Sequence, residues 1–269
     1  MDKLDKQILF ELDVNARVSN KELAKRCVTS EPVVAYRIKR LCAQGRIKYF
    51  YTMINGAKLG LLYFRIFVRL QNTSPEAESE IIETLRSSPF TTWVASVRGK
   101  YNLVVSVYAY NIEHFSKLYN ALTKKFDKNI LTKNICVVQE VGAFGRPFLV
   151  GKKSGMEISV IYGGVPQKIE LAKTDASLLF KLSKNARASI IELSKATGIN
   201  PETLRYRIKK LQQVGIIIGF RALPDLKQTG HSKHIISLYL FSTTSKRLKE
   251  LTNFCAAHPN IIFSLSLIG

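Results

Sequence analysis

The run Tyr36-Arg37-Ile38-Lys39-Arg40-Leu41 returns as Tyr206-Arg207-Ile208-Lys209-Lys210-Leu211, 170 residues further along the chain. The same displacement carries Asn15-Ala16-Arg17 onto Asn185-Ala186-Arg187, Glu22-Leu23 onto Glu192-Leu193, Gly45 onto Gly215 and Phe50 onto Phe220, with no gap. A duplication this regular constrains the architecture before any other argument. One module must occur twice, and the kind of unit attached to the first copy is expected again after the second.

The 269 residues allow one to three ordinary domains, and a hydrophobic content of 46% is enough for real cores. The formal net charge of +21 gives a surface that attracts polyanions. Nucleic acid is the leading partner. An acidic membrane surface, or adaptation to a salty or hot cytosol, would give the same balance. Cys27, Cys42, Cys136 and Cys255 are scattered without metal-ligand spacing and read as small apolar residues of a reducing compartment. The acidic start Met1-Asp2-Lys3-Leu4-Asp5 is not a signal peptide. The run from Leu59 to Leu70 is broken by Arg65 and Arg69 and is too short to span a bilayer. A soluble, cytoplasmic protein is expected.

In residues 1–58, Leu4, Ile8 and Leu12 recur at helical spacing behind the N-cap candidate Asp2. Ser19 and Glu22 form a capping box for a second helix. Cys27-Val28-Thr29 is a tight turn. Ser30 caps a third helix with Pro32 in its first turn, and Gly45 ends it. Val34, Ile38 and Leu41 make its buried stripe. Ile47 to Ile54 alternates and reads as a short hairpin, a wing. Two short helices joined by a tight turn after a scaffold helix make a helix-turn-helix. The third helix then turns Ser30, Glu31, Val33, Tyr36, Arg37, Lys39 and Arg40 outward, a set suited to the major groove of duplex DNA. In the second copy Asn200, Thr203, Tyr206, Arg207, Lys209 and Lys210 take these roles. The two helices share Tyr and Arg but differ at their N-terminal ends, which predicts two related but unequal half-sites.

The pattern Leu4-Asp5-Lys6, Ile8-Leu9, Leu12, Asn15-Ala16-Arg17, Glu22-Leu23-Ala24, Tyr36 to Leu41 and Gly45-Arg46-Ile47 resembles the winged helix-turn-helix of the Lrp/AsnC regulators. The resemblance implies a sequence-specific, double-stranded-DNA-binding transcriptional regulator and no enzyme.

From residue 60 to 140 the apolar pattern reads strand-helix-strand-strand-helix-strand, the ferredoxin-like order. Its strands are expected around Phe64–Leu70, Thr92–Val97, Leu103–Tyr108 and Leu131–Val138. In the resembling family this unit is a regulation domain that pairs sheet to sheet and takes a small-molecule effector. The resemblance therefore implies a homo-oligomer and an effector loop at Gly99, Tyr101 and Asn102. Asn102 stands where that family usually has an aspartate, so it brings no charge for an ammonium group.

Residues 141–170 are punctuated by Gly142, Gly145, Pro147, Gly151, Gly155, Gly163, Gly164 and Pro166 and read as a linker, with Ile158 to Tyr162 able to add an edge strand. Residues 171–226 are the second winged module. Residues 230–269 begin a second ferredoxin-like unit, with a strand from Ile235, a helix through Leu248 and Leu251 and a strand from Ile261. That unit is read as truncated, or as completed by another chain. The fold class is thus α+β, two winged helix-turn-helix modules alternating with ferredoxin-like βαββαβ modules. His231 and His234 lack acidic or thiol companions and read as surface residues. No cofactor, metal or catalytic residue is expected. The alternative is a siroheme decarboxylase-like enzyme, which Tyr101-Asn102-Leu103 and Arg98 resemble; Lys100 occupies the position where histidine is expected.

Overall fold

The computed structural model describes residues 1–153, 159–241 and 244–269. They divide into two compact units. One comprises Met1–Ile54, Gly142–Ile161 and Leu171–Ser264, the other Asn55–Val141, Tyr162–Glu170 and Leu265–Gly269.

The first unit holds both winged modules. Helices α1 (Lys3–Val14), α2 (Asn20–Arg26) and α3 (Glu31–Ala43) form the first, followed by strand β1 (Ile47–Ile54). Asp2 caps α1 by accepting from the Asp5 amide. Ser19 caps α2, but Glu22 turns to Arg26 at 3.1 Å, so only half of the expected capping box forms. Ser30 starts α3 without a side-chain cap bond, and Pro32 relieves the need for one by lacking an N–H. Gly45 leaves α3 at φ +67. Ile8, Leu9, Leu12, Leu23, Val34, Ile38 and Leu41 close the core.

The second copy repeats this in α6 (Lys173–Lys184), α7 (Ile190–Thr197), α8 (Pro201–Gln213) and β7 (Ile217–Pro224). Here the capping box is complete, Ser189 and Glu192 bonding each other's backbone amides, and Asn200 caps α8 through the Glu202 amide at 2.8 Å.

β1 is not a hairpin. It is a single strand paired antiparallel with β7, from Ile47↔Pro224 to Ile54↔Ile217. Alternation announces a strand but not its partner, and the partner here is its own repeat. In the register Phe50↔Ala222, Tyr51↔Arg221 and Thr52↔Phe220, the central pair links equivalent positions of the two copies, so an approximate twofold axis runs through it. The connector is more structured than its glycines suggest. Residues 142–147 are buried. Leu149, with Phe148 and Val150 beside it, enters the first winged core together with Ala222.

The second unit carries β2 (Leu62–Leu70), α4 (Pro75–Ser87), β3 (Thr91–Ser96), β4 (Leu103–Ala109), α5 (Ile112–Thr123) and β5 (Ile130–Ala143). The order β3-β4-β2-β5 is antiparallel throughout and ferredoxin-like. Phe64, Ile66, Val68, Leu103, Val105 and Val107 face α4 and α5, where Ile81, Leu85 and Phe115 complete the core. β6 (Val160–Gly163) and β8 (Phe263–Ile268) also pair with β5. The edge strand expected from Ile158 thus begins, among the described residues, at Val160; Ile158 and Gly155 lie outside them.

The strand expected from Ile235 is not formed. Residues 231–241 form no strand among the described residues, and Ile236, Leu238 and Phe241 are exposed. β2, their counterpart, is a strand because β4 and β5 flank it. Helix α9 (Ser245–Ala257) comes next, as expected. No helix among the described residues is long and apolar enough to cross a membrane. Nor does any group of three or more His, Cys, Asp or Glu there stand ready for a metal ion.

Candidate nucleic-acid interface

Val34, Ile38 and Leu41 hold α3 against its module, which leaves Glu31, Val33, Tyr36 and Lys39 exposed on the other side. In α8, Leu204, Ile208 and Leu211 do the same, leaving Thr203, Tyr206, Lys209 and Lys210 outward. Tyr36 and Tyr206 are 64% and 65% exposed, so two large aromatic rings stand in solvent at matching positions. Ser30 and Asn200, at the helix starts, are exposed too.

The arginines sit differently from the groove-facing position predicted for them. Arg37 donates to Asp2 and, at 2.9 Å, to Asp5; Arg40 donates to both Asp5 oxygens at 2.8 and 2.7 Å. Asp5 is 1% exposed, so two guanidiniums on α3 are clamped to one buried carboxylate on α1. The Arg37 hydrogen bond holds the Asp2 carboxyl below the usual carboxylate range and, with Asp5, raises the guanidinium further. In the second copy Arg207 donates to Asp175 at 2.8 Å, while Lys210 makes no ion pair among the described residues. Periodicity alone counts these arginines as outward, because they lie off the apolar stripe. Carboxylates of the scaffold helix reclaim them. The signal was present in the repeat, which keeps Asp5 with Arg37 and Asp175 with Arg207.

Across the approximate twofold axis the modules are laced together. Arg17 donates to the Ala186 and Ala188 carbonyls at 2.7 and 2.8 Å, and Arg187 to those of Ala16 and Val18. The Ala16 amide bonds the Phe220 carbonyl at 2.8 Å, the Ala186 amide that of Phe50 at 3.1 Å. Arg17 lies over the Phe220 ring and Arg187 over Phe50. Burial lowers both guanidinium pKa values. Symmetry breaks at Asp13, which is fully buried and takes both Arg221 and the connector's Arg146. Its counterpart, Ser183, is exposed.

In the regulation module, Gly99 is exposed at φ +138 and Tyr101 leans on Phe67. The Asn102 side chain accepts from the Leu70 amide at 2.7 Å and donates to the Leu70 carbonyl at 3.4 Å. It closes the end of β2, and its polar atoms are engaged there. His231 lies tilted against the Phe148 ring, with centroids 4.7 Å apart, and His234 bonds Ser232.

A family model described as winged helix-turn-helix DNA-binding matches the chain twice, over residues 1–48 and 171–218. An HTH-type transcriptional regulator of Pyrococcus abyssi is 31% identical over 119 residues, 44% of this chain and 79% of that protein. The proline dehydrogenase transcriptional activator of Rhodobacter capsulatus is 29% identical over 119 residues, 44% of this chain and 77% of its own length. The solved structure of the siroheme decarboxylase NirDL is similar with a TM-score of 0.52 and 13% identity, covering 82% of this chain and 65% of that one; at that identity the likeness is one of fold. The winged module, found twice in sequence and twice in structure, and the relatives that share it lead to one conclusion: this chain belongs to the Lrp/AsnC family of DNA-binding transcriptional regulators.

Proposed function

We propose that the chain is a sequence-specific regulator in which one polypeptide supplies both recognition helices to one duplex site. The observation that carries this reading is the pairing of β1 with β7, reinforced by Arg17 and Arg187. It holds two basic, tyrosine-bearing helices in one unit, where a homodimer would need two chains. Residues 1–58 and 171–226 act as the reading modules, 60–140 as the regulation module, and 230–269 as the start of a second one. On the helices, Tyr36, Lys39, Tyr206, Lys209 and Lys210 meet the duplex directly, with Ser30, Glu31, Val33, Asn200 and Thr203 at the leading ends. Arg37, Arg40 and Arg207 act chiefly by fixing the helix angle.

The regulation modules would pair chains through the sheet face that carries Arg65 and Phe67, in a soluble cytoplasmic protein. An effector bound at Gly99 and Tyr101 would have to do without the Asn102 amide, which the Leu70 backbone occupies.

The test is salt-dependent binding to a labelled duplex. Each neutralised phosphate contributes a log–log slope of about −0.9. Tyr36→Ala with Tyr206→Ala should weaken binding while leaving the thermal transition in place. Affinity that stays flat between about 50 and 200 mM salt sinks the reading.

A further inference from the structure

The two recognition helices share Tyr36/Tyr206 and Lys39/Lys209, but their remaining exposed positions differ systematically. Where α3 carries Val33, Ala35 and Ala43, α8 carries Thr203, Arg205 and Gln213, all of them exposed. The arginines divide in the same way. Both arginines of α3 are committed to Asp5. α8 commits Arg207 to Asp175 and keeps Arg205, whose side chain is 57% exposed. The partner of Arg205 is Glu202, three residues earlier on the same exposed helix face, and a pair of that kind holds its members weakly.

We infer that α3 and α8 read chemically different half-sites, so that the chain sits on its site in one direction only. α8 takes a half-site containing guanine, because an outward arginine can donate two hydrogen bonds to guanine O6 and N7. α3 offers small apolar side chains beside Tyr36 and Lys39, a surface that fits thymine methyl groups and has no free guanidinium for guanine. A homodimer mirrors its twofold symmetry in a palindromic operator. Here the β1–β7 ladder joins two unlike readers, and the half-sites must be unlike as well.

This rests on the DNA-reading assignment above, and the experiment separates the two. A random-sequence duplex library is selected with the full chain, then with Arg205→Ala and with Ala35→Arg. The expected sites join two unlike halves, one of them guanine-bearing. That guanine should lose about tenfold or more of its enrichment in Arg205→Ala, the factor that one bidentate contact supplies. Ala35→Arg should bring guanine into the other half. Retention of bulk duplex by Arg205→Ala at low salt checks that the variant is folded. Two like halves, or a guanine that survives Arg205→Ala, overturn the inference and leave the DNA-reading assignment standing. A wild-type selection that enriches no duplex overturns both.

Discussion

Val28 stands at φ +51 in the turn between α2 and α3, where its counterpart is Gly198 at φ +71. A β-branched residue in that region is strained by about 1–3 kcal/mol. The side chain is 92% exposed, so it returns little packing. Val28→Gly relieves the strain and costs about 0.5–1 kcal/mol of chain entropy. The first module should gain up to about 2 kcal/mol, the difference between the two, visible as a higher melting temperature with DNA affinity unchanged. A melting point that falls would show that the strain at Val28 is smaller than the entropy cost of the glycine. Asp5 supports a second prediction at this scale. It is buried and accepts from two arginines, whereas Asp175 accepts from one. Asp5→Asn should cost about 2 kcal/mol, the worth of charge-assisted bonds lost from a buried acceptor. It should also weaken duplex binding by freeing α3 from α1. Asp175→Asn should cost less; urea titration of both variants compares them.

Among the elements, the connector departs furthest from its composition. Glycine and proline mark it as punctuation, yet Arg146 and Leu149 reach into the first winged module. Arg146 and Arg221 share Asp13, with all three side chains nearly or wholly buried. Removing one member of such a cluster leaves buried charge without its counterpart, a loss of about 3–5 kcal/mol. Asp13→Asn should therefore unfold the unit at markedly lower denaturant concentration. Arg146→Met should do less harm, since it leaves Asp13 bonded to Arg221. An Arg146→Met variant as stable as the wild type would mean that the cluster does not fasten the connector. Helix positions were legible from periodicity and caps, as for Val34, Ile38 and Leu41, because those signals are local. Strand partners were not: Ile47–Ile54 carries its own alternation but nothing that names residues 217–224 across the chain. Ile235 failed as a strand for the same reason, since β-pairing depends on the neighbouring chain segments. At the site, the outward tyrosines and lysines could be read from spacing. The clamped arginines could not be read from spacing, because Asp5 belongs to another helix; only the joint recurrence of Asp5 with Arg37 as Asp175 with Arg207 carried that signal.

At the scale of the whole molecule, the repeat places in one chain two winged modules that a homodimer would draw from two copies. The β1–β7 ladder closes within one polypeptide, so its strands meet at the effective concentration set by the intervening chain rather than by the number of molecules present. Anisotropy with trace labelled duplex should give a simple hyperbolic isotherm. A sigmoidal curve that shifts with protein stock concentration would mean that a second chain has to arrive first. Regulators assembled from separate chains lose their grip steeply when a cell divides and thins them out, since assembly varies with the square of abundance. With Tyr51 opposite Arg221 on a single thread, the proposed function has a lone surviving molecule carry both reading heads, so that occupancy of its site would fall only in proportion to copy number.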